Sequence, residues 1–323
     1  YAWKHVTCGL LFRGGNLAAA AEEIDRGIAF VRSYGFSDIE RILQAQAYYC
    51  ETLMKGISAT SPSVRASFDS ALPGTQSAPS GLVAAMTAIY EGMCALAFGD
   101  PAQARKIYRD NALNARGLRG HIAHTEYQLW YCLAQCTDPS PAPEIVRELE
   151  EIRARFAHLS EINPTTFKHK HMLIEGSLAL RQGQDLLAIS YFDQAAINAG
   201  AGGFIHEKAL AHEFLAGMCE AHGLISGAHY RWRAARDAYR IWGAEGKAQL
   251  IELSHHFLST EAEIIERENG NKSNLDLSIS IKATQALSDE VLQDRLVETL
   301  IRNLIIYAGA SKGALLLTAD SSL

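Results

Sequence analysis

The sequence is poor in the features that mark several large classes of protein. Only 20% of its 323 residues are charged and 8 are proline, whereas 48% are apolar, and this balance excludes a wholly disordered chain. No run of 18 apolar residues occurs, so we expect no membrane insertion. The formal net charge of −6 leaves no overall basic surface, so we also expect no nucleic-acid partner.

Signals for export and for disulfide bonding are lacking too. The sequence opens at Tyr1 without methionine and without a basic-then-apolar leader, which predicts a fragment of a longer protein. Its 6 cysteines are irregularly spaced, as is typical of reduced thiols in the core of a cytoplasmic protein. We therefore predict a cytoplasmic location and no disulfide framework.

Catalytic motifs are the third absence. There is no GxxxxGK[ST] phosphate-binding loop, because the glycine-rich stretch at 309–313 lacks the Lys-Ser/Thr ending. No serine, cysteine or lysine lies in a recognisable nucleophile motif. We predict that these residues include no catalytic residue, bind no cofactor and no metal, and have no enzyme activity of their own.

What the sequence does contain is a repeat of a glycine, a small residue and a larger residue at intervals of five and four. The copies are Gly15, Ala20 and Ile24; Gly99, Ala104 and Tyr108; Gly183, Ala188 and Phe192; and Gly223, Ala228 and Trp232. Their glycines are 84, 84 and 40 positions apart. That spacing fits a period of about 40 residues, which is typical of stacked helical pairs.

Each part of the repeat has a physical role in such a pair. The glycine permits a tight turn between two helices, and the small residue lets the second helix lie close to the first. The larger residue stays on the same helix face and fills the groove between them. Since a single pair leaves an apolar face uncovered, neighbouring pairs must stack. We therefore predict an all-α, tetratricopeptide-like solenoid over 1–267, curved around a concave face.

The local signals divide the chain further. Pro101 and Pro164 suit the first turns of helices, after Asp100 and Asn163 as N-caps. An irregular insertion is predicted at 57–80 and a linker at 268–274. We expect helices near 1–13, 17–33, 38–55, 81–98, 101–115, 121–136, 142–158, 164–182, 185–199, 204–222, 225–242 and 244–267.

Beyond the linker the pattern changes. Two apolar helical stripes lie within 275–308, and a short β-like run follows at 314–318. The segment 275–323 is thus predicted to be the truncated start of an α/β domain. The stripes fit packing within that domain and also fit a homodimer contact through 275–308, and the sequence leaves both open.

The stretches GFIHEKALAHEFLAGMCEAHG at 203–223 and YRWRAARDAYRIWGAEGKAQLIE at 230–252 carry a family resemblance. They resemble the last tetratricopeptide-like repeats of large multidomain kinases that join a serine/threonine-kinase-like domain, a P-loop ATPase, helical repeats, a GAF domain and a sensor histidine kinase. The marks are Gly203 to Glu207, Ala209, Leu210, Trp242 to Ala244, and Lys247. The tail at 276–317 resembles the opening of the family's GAF domain.

The resemblance implies a non-catalytic role in signal transduction. In that family the repeats connect and dock the ATPase half and the GAF/histidine-kinase half, so the implied partners are neighbouring domains of the same chain or another protein. The parent would be an ATP-dependent protein kinase of a two-component system. The alternative is an effector-binding sensor domain of an ATPase-type transcription activator, with a small inducer or an inhibitory partner on the concave face.

Three clusters of reactive side chains have structural interpretations that we favour. His206 and His212 are six positions apart, so they point in different directions on a helix; His206 is expected to help start its helix and His212 to lie near the surface. The run at 168–171, Lys-His-Lys-His, is interpreted as an exposed polar helix face. Cys132 and Cys136 are interpreted as core residues.

The remaining candidate is a basic helix surface. Arg233, Arg236 and Arg240 follow the helical spacing i, i+3, i+7, with aromatic residues between them. Such a surface is interpreted either as a solvated face with local ion pairs or as a contact for an acidic segment of a partner. These three arginines are the predicted partner-contact residues.

Overall fold

A computed structural model of the chain describes residues 2–56 and 80–258. These residues all belong to one unit, Tyr1–Ser259. They contain helices and short connections but no strand, which confirms the all-α class for this part of the chain. The predicted insertion over 57–79, the linker at 268–274 and the GAF-like segment at 275–323 lie outside the described residues.

The helices follow the predicted set closely. They are α1 (Ala2–Phe12), α2 (Leu17–Ser33), α3 (Ser37–Lys55), α4 (Gly81–Ala97), α5 (Pro101–Asp110), α6 (Ala112–Ala115), α7 (Ile122–Gln135), α8 (Pro143–Ile162), α9 (Pro164–Arg181), α10 (Asp185–Gly202), α11 (Ile205–Ala221), α12 (Ile225–Trp242) and α13 (Glu245–Ser254). Within 2–56 and 80–258, none of them has the length and apolar character needed to cross a membrane.

Local chemistry fixes several helix ends. The Asp100 and Asn163 side chains accept hydrogen bonds from the backbone N–H of Gln103 and Thr166, which confirms both N-caps. The helix predicted over 101–115 is instead interrupted at Asn111. The side chain of Asn111 donates to the Ile107 carbonyl at 3.0 Å, and this local bond competes with continuation of the helix.

The helices form two layers that differ in burial. Helices α3, α4, α7, α9 and α11 are inner helices with neighbours on both sides, whereas α2, α5, α8, α10 and α12 are outer helices with one face in solvent. The contrast is clearest in one pair: twelve of the 14 residues of α7 are buried, but only three of the 20 residues of α8. Every repeat position found in the sequence belongs to an outer helix or to the turn before it.

The repeat residues lie where the two layers meet. Ala20, Ala104, Ala188 and Ala228 are buried, and so are the larger residues Ile24, Tyr108, Phe192 and Trp232. Two of the larger residues pack against glycines of the inner helices, where no Cβ could be accommodated. A Cβ on Gly92 would lie 2.3 Å from the Tyr108 ring, and one on Gly176 would lie 2.7 Å from the Phe192 ring. In the first pair, the glycine with positive φ at the turn is Gly14 rather than Gly15.

The array closes on itself. The last described helix, α13, packs against α3, so the array is not an open stack in which each pair contacts only its neighbours. The Trp242 indole N–H donates to the Gly15 carbonyl at 3.0 Å. At the closing contact two backbones meet directly, since a Cβ on Gly246 would lie 2.0 Å from the Gly56 nitrogen. We call this contact between α13 and α3 the closure.

Candidate functional site

A cavity of ≈ 260 Å³ lies inside the closed array. Its walls come from α3, α4, α7, α11 and α12 and from the turn before α5, so helices from both ends of the array contribute. The lining is mainly aromatic and aliphatic: Tyr49, Leu53, Met93, Leu96, Ala97, Gly99, Pro101, Trp130, Leu133, Thr137, His206, Leu210, Glu213, Phe214, Tyr239 and Trp242. Concave, mostly apolar cavities with a few polar groups are the usual form of small-molecule sites.

Burial along the walls shows where the cavity opens. Gly99 and Thr137 are exposed, whereas Tyr49, Trp130 and Trp242 are all buried. The opening therefore lies between the turn that joins α4 to α5 and the end of α7. The deep end lies beside the closure, where the Tyr49 and Trp242 rings are 6.3 Å apart.

Two ring nitrogens of wall residues are buried without a hydrogen bond of ordinary geometry among the described residues, although the Trp130 indole N–H interacts with the Glu126 carboxylate. They are the indole N–H of Trp130, whose residue is 8% exposed, and Nδ1 of His206, whose residue is 5% exposed. Burial lowers the pKa of His206 to about 4, and Lys170 and His169 act in the same direction while Glu207 opposes them. His206 is therefore a neutral imidazole near pH 7.

The charged wall residue is compensated within the protein. Glu213 accepts from Lys247 Nζ at 2.7 Å and from the Tyr239 hydroxyl at 2.8 Å. Lys247 also donates to the Ala97 carbonyl at the end of α4. One lysine of α13 thus binds a carboxylate of α11 and a free carbonyl of α4, and so holds α13 against both of these helices.

A second polar group is buried deeper, in contacts among α7, α9 and α11. Lys170 is 1% exposed and lies between two carboxylates, with Nζ 2.9 Å from Glu126 Oε1 and in direct contact with Glu207. His169 contacts the other oxygen of Glu207. We call these four residues the ionic cluster. A buried charge is tolerated only when it is paired in this way.

The pKa shifts in the ionic cluster follow from burial and pairing. Burial raises the pKa of Glu126 to about 7, although Lys170 opposes it. Burial alone would also raise the pKa of Glu207, but Lys170 and His169 outweigh it and lower the pKa. For Lys170, burial is outweighed by the two carboxylates, so its pKa is raised. Lys170 and Glu207 therefore stay charged near neutral pH.

The interpretation of the 168–171 run as an exposed face is wrong at its centre. Lys168 is exposed and His171 is half-buried, but His169 and Lys170 belong to the ionic cluster. The reason is that α9 is an inner helix, so the side that a solvent-facing helix would leave polar is covered here by α7 and α11. The carboxylates that make this burial tolerable come from other helices.

The histidines of α11 differ from their predicted positions in one case. His212 is 7% exposed, so the prediction that it lies near the surface is wrong. Burial, reinforced by Arg231, lowers the pKa of His212 to about 4. In the described part of the chain no group of three or more His, Cys, Asp or Glu is arranged to hold a metal ion.

The basic surface of α12 is largely neutralised by the protein itself. Arg240 lies 3.0 Å from Glu252, and Arg236 contacts Asp237 and, at 3.5 Å, the same Glu252. Arg233 is half-buried on the same helix. The structure therefore brings two of the three predicted partner-contact residues onto a carboxylate of α13, next to the closure.

The cysteines form no disulfide bond. All 6 are free, and Cys132 is buried in α7 while Cys136 is half-buried one turn later. Burial also raises the pKa of the Cys8 and Cys50 thiols, to about 11 and about 12. Neutral, enclosed thiols of this kind pack as small apolar residues and react slowly.

Comparison of the chain with protein families, with curated proteins and with solved structures gave no match. Within the structure, several of the residues that carry the family resemblance take part in the interior contacts described above. His206, Leu210 and Trp242 line the cavity, Glu207 belongs to the ionic cluster, and Lys247 joins α13 to α11 and α4.

Proposed function

We propose that this unit is a non-catalytic interaction and signal-relay segment of a multidomain sensor kinase, as the resemblance implies. It would connect an ATPase half to a GAF/histidine-kinase half. The observation that carries the proposal is the closure, because it places the last described helix, α13, in direct contact with α3 near the start of the array.

The closure matters because of how displacements travel in helical arrays. In an open array each pair contacts only its neighbours, so a shift at one end weakens as it passes along. Here a shift of α13 acts on α3 directly. Two backbones in contact at Gly56 and Gly246 leave no space for a gradual adjustment, and tightly packed interfaces of this kind favour discrete alternative arrangements.

The pairing of the interior charges supports a relay rather than a catalyst. Lys170 and Glu207 satisfy each other, and Glu213 is held by Lys247 and Tyr239. Acid–base catalysis needs a titratable group within hydrogen-bond reach of a substrate. These groups are instead engaged in holding helices together.

Hydrogen exchange on the 323-residue chain tests the relay. Gly246→Ala should open the closure, and we expect faster exchange not only in α13 but also in α1 to α3. Gly217→Ala is the matched control, since a Cβ at Gly217 meets no atom within 4 Å and the residue is exposed. Faster exchange confined to α13 would contradict the relay, and so would phosphotransfer from ATP catalysed by this chain alone.

The basic surface of α12 provides a docking element for the same proposal. An acidic segment of a partner would compete with Glu252 for Arg236 and Arg240, and so would bear on the closure. Reversing the charges of Arg233, Arg236 and Arg240 should weaken capture of the neighbouring domains in a pull-down. Unchanged capture would show that these three arginines do not dock the partner.

The cavity favours a second candidate function, that of an effector-binding sensor domain in an ATPase-type transcription activator. The reading frame around this chain separates the two candidates. A P-loop upstream and a histidine-kinase core downstream would support the relay in a sensor kinase. A DNA-binding helix-turn-helix after the repeats would support the activator.

A further inference from the structure

We propose that the cavity binds an uncharged, planar, bicyclic small molecule that presents one hydrogen-bond acceptor. This inference goes beyond the relay and stands under either candidate function, because it depends only on the walls of the cavity.

The size and shape of the cavity set the outline of the ligand. Five aromatic side chains line it: Tyr49, Trp130, Phe214, Tyr239 and Trp242. Flat rings favour stacking with another flat ring. A cavity of roughly 150 Å³ binds benzene, so one of ≈ 260 Å³ suits a molecule of about ten non-hydrogen atoms. Two fused six-membered rings have that size.

The charge of the walls sets the charge of the ligand. Glu213 is neutralised by Lys247, and His206 is uncharged near pH 7. A charged ligand would lose its hydration without gaining a counter-charge, which is costly. Several aromatic rings together can also hold a cation through their faces. Here the carboxylate that would assist a cation is already paired, so we expect an uncharged ligand.

The hydrogen-bonding groups of the walls set its polarity. An indole N–H can only donate, and that of Trp130 is buried beside the Glu126 carboxylate without a hydrogen bond of ordinary geometry among the described residues. Buried donors without a well-formed hydrogen bond are costly, so a ligand that supplies a well-placed acceptor gains affinity. Nδ1 of His206 is a second buried nitrogen without a partner among the described residues, but it lies against Gly14, where an added Cβ would come within 2.4 Å of it.

Quinoline is the probe that fits this description, and isothermal titration calorimetry on the full chain measures its binding. We expect quinoline to bind, and its N-methylated cation and its 2-carboxylate to bind at least about tenfold more weakly, a difference of ~1.4 kcal/mol. Preferential binding of the cation would overturn the proposal. Absence of quinoline binding up to about 1 mM would overturn it as well.

Variants that fill the cavity test whether quinoline binds there. Leu210→Trp fills it from α11, and Ala97→Met fills it from α4 and serves if the first variant does not fold. Each should abolish quinoline binding. Leu186→Trp is the matched control, because Leu186 is 86% exposed and does not line the cavity. Binding that survives both blocking variants, in chains whose circular dichroism is unchanged, would refute the site.

Trp130→Phe tests the acceptor. This variant keeps a ring but loses the N–H, so the affinity for quinoline should fall about three- to tenfold. Naphthalene has the same outline and no acceptor, so its affinity should fall less, by the contribution of the lost ring surface alone. Equal losses for the two molecules would show that Trp130 contributes only its ring, and would overturn the acceptor in the proposal. Calorimetry measures ligand binding without reference to signalling, so the ligand proposal can fail while the relay proposal stands, and the reverse.

Discussion

The inner and outer helices of this array are stabilised in different ways. The outer helices are ordinary amphipathic helices, and their buried faces carry the small and large residues of the repeat. The inner helices bury both faces, and they carry charges and aromatic rings that do not repeat. The outer helices thus ensure that pairs form and stack, whereas the inner helices determine which pairs meet across the interior.

The ionic cluster shows what this difference means energetically. Replacing a paired buried charge is strongly destabilising, because its partners are left without compensation. The cluster therefore adds little net stability over an apolar core but penalises any other arrangement of α7, α9 and α11. We infer that it specifies the packing of these three inner helices, in the way that the repeat specifies each pair.

The largest effect is expected from Lys170→Met in the ionic cluster. The change leaves the carboxylates of Glu126 and Glu207 buried and adjacent, so the free energy of unfolding should fall by about 4 kcal/mol. Urea denaturation measures it. Lys168→Met is the control, since Lys168 is exposed on the same helix and should change the stability by less than about 0.5 kcal/mol. Equal effects of the two changes would show that the ionic cluster contributes no more to stability than an exposed position of the same helix.

The next effect concerns the outer layer. Phe192→Ala removes a fully buried ring from the groove between α9 and α10, and we expect a loss of about 3 kcal/mol. Leu186→Ala, on the exposed face of the same helix, should be nearly neutral. The inner-helix glycine Gly176 allows a second test, because a Cβ at this position would meet the Phe192 ring. With Phe192→Ala in place, Gly176→Ala should therefore no longer destabilise the protein. Additive losses would contradict the contact.

The smallest effect is a dependence on pH. The pKa of His206 is about 4 in the folded protein and about 6.5 unfolded, so the unfolded chain binds the proton first as the pH falls. Its contribution is complete above pH 6.5 and declines toward pH 4. His206→Gln should therefore lose about 1 kcal/mol less stability than the wild type between pH 7 and pH 5.5.

The comparison with the variant is needed because Glu126 acts in the opposite direction. Its pKa is raised to about 7, so its contribution is complete below the ordinary value of 4.5 and declines as the pH rises through 7. The pH dependence of the wild-type stability alone contains the contributions of both His206 and Glu126. Parallel curves for wild type and His206→Gln would show that His206 does not titrate as a buried neutral imidazole.

The sequence allows the outer layer to be predicted well, because its signals are local. Helix ends follow from caps such as Asp100 and Asn163, and Ala188 and Phe192 follow from their spacing to Gly183. The inner layer is predicted poorly, since a helical period does not show whether the second face of a helix is covered. Lys170 therefore looks solvated until Glu126 and Glu207 are found opposite it.

Two signals for the inner layer were nevertheless present. Glu126 stands alone in the largely apolar stretch that forms α7, and an isolated acid in such a stretch indicates a buried partner. Gly92 and Gly176 each precede the larger residue of the next helix by 16 positions, which indicates the ring-on-glycine contact. The closure had no such signal, because it depends on the summed curvature of all the pairs.

Closure at Gly56 and Gly246 fixes the number of helices that the circuit can hold. An open stack can gain or lose a helical pair by duplication or deletion and still bury the apolar faces of the remaining pairs. In this protein an added pair between α4 and α11 would move α13 away from α3. Trp242 would then lose its contact with Gly15, and the cavity would be open to solvent. Lengthening by whole repeats, the common evolutionary route for such arrays, is thereby closed to this one.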